Sequence, residues 1–148
     1  MLVHKMTDAE CRRVVARALY GRLGCVNGAQ PYIVPVGIHL DPDYPFLYGF
    51  STLGQKVRWM RLNPRVCVEV EEIVSRKEWT TVLVFGRYQE IPRSGPGAAV
   101  RERAAELLGK QIEWWLPGGA SLSSGEDHGV PVLYRIRIGR MTGRRTAK

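Results

Sequence analysis

The sequence predicts a mainly β (β+α) fold, an antiparallel barrel of about six strands with three added helices. Short β-type runs alternate apolar and polar positions. In Pro131–Ile138, Val132, Tyr134, Ile136 and Ile138 share one face and Leu133, Arg135 and Arg137 the other. The early runs are separated by turn signals such as Asn27-Gly28, which make neighbours hairpin partners. Only one short helix interrupts their succession, so the regular strand–helix alternation of a parallel βαβ fold is missing.

Each element has its own signal. Thr7 and Glu10 form a capping-box pair at the start of the first helix. Cys11, Val14, Val15, Ala18 and Leu19 follow at helical spacing, with Gly21 as the stop. Leu23–Val26 and Tyr32–Leu40 are strands joined across Asn27-Gly28. Pro35 lies inside the second of these. Proline cannot donate to a ladder, so it marks an edge, a bulge, or backbone that faces something other than a strand. The turn Asp41-Pro42-Asp43-Tyr44-Pro45 leads to a strand over Phe46–Phe50. Thr52 and Gln55 form a second capping box, and Asn63-Pro64 ends the short helix that it opens. Val66–Ile73 and Trp79–Ile91 are strands, the second carrying Gly86 as a bulge or bend. Ser94–Gly97 breaks the chain before a helix over 98–110 with Val100, Ala104, Leu107 and Leu108 on its apolar face. Trp114-Trp115 and a Gly/Ser-rich loop over 117–129 precede the last strand.

The length, 148 residues, fits a single domain over 1–148. No apolar run approaches the roughly 20 residues that span a bilayer, and Met1–Glu10 lacks the apolar stretch of a signal peptide. A cytoplasmic protein without membrane contact is expected. Cys11, Cys25 and Cys67 are an odd set without a CxxC pair and read as small buried hydrophobes. His4, His39 and His128 are far apart with no ligand spacing, so no metal site is expected. Glu69 and Glu71 share one solvated strand face rather than forming an acid/base pair. No nucleophile signature is present, and no catalytic side chain is assigned.

The formal charge of +8 suits an anionic partner: a phosphorylated cofactor, an acidic substrate or nucleic acid. Much of it lies in the tail, at Arg135, Arg137, Arg140, Arg144, Arg145 and Lys148, which reads as a solvated strand edge and a frayed end. A nucleic-acid binder is the weaker reading, because no RRM, KH, helix-turn-helix or zinc-finger pattern accompanies the charge.

The stretch from Leu47 to Lys56 carries the most chemistry. A strand ends, Ser51 and Thr52 supply hydroxyls, and Lys56 sits in the first turn of a helix. Free N–H groups and the helix dipole at such a terminus favour an anion, and a lysine makes the site suited to phosphate. Gly49 and Gly54 would let backbone approach a ligand. Their spacing imitates a P-loop, but Gln55 intervenes before Lys56 and Val57 replaces the Mg²⁺-binding hydroxyl, which excludes an ATPase or GTPase.

An ordered set of segments resembles the FMN-binding split barrels related to pyridoxamine 5′-phosphate oxidase, especially the branch with nitroimidazole-resistance proteins. It comprises Tyr32-Ile33-Val34-Pro35-Val36, Tyr48-Gly49-Phe50-Ser51 leading to Gln55-Lys56, and Asn63-Pro64-Arg65-Val66-Cys67-Val68-Glu69-Val70. Trp79-Thr80-Thr81-Val82, Phe85-Gly86-Arg87-Tyr88, Tyr134-Arg135-Ile136-Arg137-Ile138 and Thr142-Gly143-Arg144 complete it. The resemblance implies a six-stranded split β-barrel, a homodimer, and a flavin site built from two chains at the subunit interface. It implies that Val34, Pro35 and Val36 line the isoalloxazine and that Phe50, Ser51 and Thr52 run beside the ribityl chain. By the same resemblance Gln55 and Lys56 hold the phosphate, and Thr80 and Thr81 reach the polar edge of the ring. The implied cofactor is FMN and the implied activity a flavin-dependent oxidoreductase acting on a small molecule. A flavin- or haem-binding module without turnover is the alternative. The Arg-x-His motif with which the oxidase grips pyridoxal phosphate is not matched, since Glu126 stands two residues before His128 and the tail reads Arg135-Ile136-Arg137. That departure, with the shorter chain, argues against pyridoxamine phosphate as the substrate.

Overall fold

A computed structural model describes residues 1–115 and 131–146, without the side chains of 110–115 and 131. The chain runs β1 (Val3–Lys5), α1 (Asp8–Arg17), β2 (Tyr20–Asn27), β3 (Gln30–Gly37), β4 (His39–Leu40), β5 (Phe46–Thr52), α2 (Gln55–Leu62), β6 (Arg65–Ser75), β7 (Glu78–Ile91), α3 (Ala98–Trp115) and β8 (Pro131–Thr146). These strands pair antiparallel, in the order β3-β2-β6-β7-β8-β5-β4, with β1 on β8. Six of the strands match the expected ones. The other two, β1 and β4, are short.

Connectivity curls this sheet into a split barrel. β3 and β4 stand at opposite ends of the pairing order, yet only Ile38 lies between them in sequence. The two edges must therefore come together, and Ile38 is buried where the chain crosses the gap. The inner face follows period two. Leu23 and Cys25, Val66, Val68 and Val70, Val82 and Val84, and Tyr134 and Ile136 fill one core cluster. Val57 and Met60 of α2, with Val14 and Val15 of α1, close it. A second cluster joins Ala104 and Leu108 of α3 to Tyr48 and Ile91.

Several local expectations hold. Thr7 and Glu10 form the capping box on α1. Gly28 takes φ 57° in the β2–β3 turn, which is why a glycine belongs there. Arg22 pairs with both Glu69 and Glu71, confirming their shared outer face.

Others need correction. α1 ends at Arg17 with Ala18 as its cap, and Gly21 lies buried inside β2, where an added Cβ would stand 2.7 Å from Val68. The predicted strand over Tyr32–Leu40 is divided into β3 and β4. The Gly86 bulge exists, but the extra residue belongs to the partner strand: Phe85 pairs with Arg140 and Gly86 with Ile138, leaving Gly139 unopposed. The last helix runs on to Trp115. The last strand runs on to Thr146, paired with β7 and β1, so the arginine-rich tail up to that residue is inner sheet rather than a frayed end. The loop over 117–129, His128 and Lys148 lie outside the described residues.

Candidate functional site

The ten residues singled out above fall into two groups. Val34, Pro35 and Val36 lie on β3, an edge of the sheet. The Ile38 N–H donates to the Leu19 carbonyl at 3.1 Å, in register with the β2–β3 pairs. Hydrogen-bonded pairs alternate along an antiparallel ladder, so Val36 and Val34 bond to β2, whereas Ile33, Pro35 and Gly37 point their backbone groups to the free edge. Pro35 costs the ladder nothing there, because its missing N–H faces away from β2. Its ring is exposed, while Val36 belongs to the core and Val34 packs against it.

Phe50, Ser51 and Thr52 end β5, and Gln55 and Lys56 open α2. The expected Thr52–Gln55 capping box does not form. Thr52 remains in β5, Gly54 is the N-cap in extended conformation, and no side chain accepts a bond from the first turn. Ser51 is buried and donates to the Thr52 carbonyl at 2.9 Å, so its hydroxyl caps nothing. A strand residue cannot reach round to the N–H groups that a cap residue satisfies, and the glycine leaves them open. The two glycines also separate in role. Around Gly54 the space is open, but a Cβ on Gly49 would lie 2.4 Å from the Tyr134 ring, so Gly49 makes room for core packing and not for a ligand. The Tyr134 hydroxyl is buried with no hydrogen-bond partner among the described residues.

Lys56 stands in this open first turn. It is half-buried, and burial holds its ammonium below the ordinary lysine range. No ion pair to Lys56 forms among the described residues. A partly desolvated cation with no counter-charge among the described residues, beside uncapped N–H groups, is an arrangement that favours an anion and makes this a candidate anion site. Cys25 is close enough to Lys56 for its charge to be felt, and its own thiol is pushed up by burial. α2 packs on β2, and the Trp59 and Tyr32 rings stand 5.5 Å apart, which brings the anion site and the edge strand to one side of the barrel.

Thr80 and Thr81 lie elsewhere. They pair with Glu72 and Glu71 on β6 and with Arg145 and Arg144 on β8, near the start of β7. Within one chain the strand neighbours of β7 are β6 and β8, so neither threonine pairs with β3 or β5. His39 sits on β4 opposite Tyr48, and burial lowers its pKa. No group of three or more metal-ligating side chains exists among the described residues. No helix there is long and apolar enough to cross a membrane.

Sequence reasoning missed one polar feature that shapes this end of the molecule. Asp41, fully buried in the β4–β5 turn, receives two bonds from Arg103 of α3, at 2.9 and 3.2 Å. Its carboxylate also accepts from the Asp43 and Tyr44 N–H groups. These bonds hold the Asp41 carboxyl below the usual range, the arginine contributing most. The turn composition predicted the loop but carried no sign of its partner 62 residues away.

A family model for pyridoxamine 5′-phosphate oxidase matches residues 7–145. An uncharacterized protein of Rhizobium meliloti (strain 1021) is 39% identical over 146 residues, covering 97% of this chain and 95% of that protein. The crystal structure of an FAD-binding protein from Mesorhizobium loti is 37% identical, covers 99% of this chain and 100% of its own, and superposes with a TM-score of 0.80. A candidate 5-nitroimidazole antibiotic resistance protein of Bacteroides thetaiotaomicron shares the fold at 13% identity, with a TM-score of 0.67 and coverage of 98% and 89%. With the split barrel and the match along nearly its whole length, this chain belongs to the pyridoxamine 5′-phosphate oxidase family.

Proposed function

We propose that this protein binds FMN at a homodimer interface and acts as a flavin-dependent oxidoreductase on a small molecule. The observation that carries the reading is Lys56, half-buried with no counter-charge among the described residues, beside an uncapped helix N-terminus. A terminal phosphate supplies the missing charge and accepts from the open N–H groups. Gln55 is placed beside it in the same turn. The free edge of β3, with Ile33 and Gly37 offering N–H groups and Pro35 offering only a carbonyl, suits the polar rim of a planar ring. The separation of Thr80 and Thr81 from this half supports a site completed by a second chain, since only a partner's copy could then bring them to it.

A bound flavin supplies hydride or electron transfer, and the protein's part is to hold and orient it and to exclude water. Lys56 fixes the phosphate, the β3 edge positions the ring, and the side chains of Val34 and Val36 keep that edge anchored in the core. No acid or base on the chain is required for that chemistry. FAD is the second reading, favoured by the Mesorhizobium loti relative. The phosphate nearest the ribityl chain would occupy the same place in either flavin.

Lys56→Ala is expected to weaken FMN binding by about 1–3 kcal/mol, the scale of one charge-assisted hydrogen bond. Fluorescence-quenching titration of the variant against the wild-type protein measures this. Equal affinities would place the phosphate elsewhere.

A further inference from the structure

A row of arginines crosses the sheet. Arg65 of β6 lies opposite Arg87 of β7, and Arg87 lies opposite Arg137 of β8. Directly opposed residues share a face of the sheet, and like charges there repel. All three are exposed, and no ion pair to any of them forms among the described residues. The nearest carboxylate along β7, Glu90, is held by Arg61 and by the Tyr88 hydroxyl.

The β7–β8 bulge adds a fourth arginine to this row. Its unopposed Gly139 turns Arg140 over the Phe85 ring, with the guanidinium carbon 4.3 Å from the ring centroid. Stacking fixes the plane of that guanidinium while its N–H donors stay available at the rim. Phe85, Arg87, Arg137 and Arg140 line a shallow cavity of about 470 Å³ at the bulge.

We propose that this cavity binds a diphosphate-bearing ligand of the nucleoside-diphosphate class. Strands are about 4.8 Å apart, so the backbone positions of Arg65, Arg87 and Arg137 span roughly 10 Å, with Arg87 and Arg137 lining the cavity and Arg65 flanking it on β6. That width suits two linked phosphoryl groups better than one, and arginine forks match phosphate oxygens in pairs. The outer face of the stacked Arg140 offers a flat platform for a base. This site uses none of the residues that hold the FMN phosphate in the reading above.

The test is calorimetric titration of the full chain, in excess FMN, with pyrophosphate and with ADP. One site is expected for each. Lys56→Ala should leave it unchanged, and the double variant R87Q/R137Q should weaken it by roughly tenfold or more. The double variant should also melt at a higher temperature than the parent, because it removes a like-charge contact. The proposal is overturned if neither ligand binds at millimolar concentration, or if Lys56→Ala abolishes binding and the arginine variant does not. A lower melting temperature for R87Q/R137Q would equally overturn it, by showing that the arginines serve the fold. Retention of a single-stranded oligonucleotide with no binding of either diphosphate would assign the patch to nucleic acid instead.

Discussion

Asp41→Ala is expected to destabilise the protein by about 3 kcal/mol, the scale of breaking a buried ion pair from one side. Asp41 has no exposed surface, and its carboxylate holds Arg103 through both oxygens while anchoring the turn through two backbone N–H groups. Removing it leaves the half-buried Arg103, among the described residues, with Asp43 and Glu106, both largely exposed partners. α3 would then keep its apolar contacts to Tyr48 and Ile91 and the exposed Arg103–Asp43 contact, but lose its buried link to the β4–β5 turn. The pH dependence has a definite sign. The folded-state pKa of Asp41 lies below its unfolded value, so the pair stabilises above the unfolded carboxylate range near ~3.9 and is lost as pH falls through the depressed folded value. Denaturant midpoints of parent and variant should therefore converge on acidification. A variant as stable as the parent at neutral pH would show that the pair contributes nothing net.

Gly86→Ala is expected to cost about 2–3 kcal/mol and to lower the melting temperature by roughly 5–10 °C. The added Cβ would stand 2.4 Å from the Arg137 carbonyl oxygen and 2.7 Å from Ile136 Cγ2. Both belong to β8, a strand held on its two sides by β7 and β5, so the neighbour is backbone in mid-sheet and cannot step aside. Gly139→Ala on the opposite strand makes the control. Its nearest contact is the Phe85 carbonyl at 3.4 Å, and a much smaller loss is expected in the same thermal melts. Equal losses for the two would mean that the bulge relaxes as a unit.

Sequence made the architecture legible where signals were local. The Thr7–Glu10 box, the Asn27-Gly28 turn and the alternation in β8 each depend on residues within a few positions, and each is present in the structure. The failures share a cause. Thr52 and Gln55 have capping-box spacing, but β5 pairs with β8 right to Thr52, and that ladder outweighs the weaker local cap. Gly49 reads as a ligand glycine until Tyr134, 85 residues on, is seen to fill its space. The tail arginines read as frayed because charge outweighed pattern, whereas β7 and β1 recruit them into the sheet. For the candidate site, Lys56 in a helix's first turn was legible. The lack of a counter-charge around it among the described residues, and the outward-facing N–H groups of β3, depend on the assembled sheet.

Flavin binding itself is tested by titrating the purified chain with FMN, and in parallel with FAD, followed by flavin fluorescence and absorption. Saturable quenching at about one flavin per chain is expected, with bands at ~375 and ~450 nm that stay with the protein. Flavin that remains free in solution with both cofactors, at protein concentrations where the fold is intact, would contradict it.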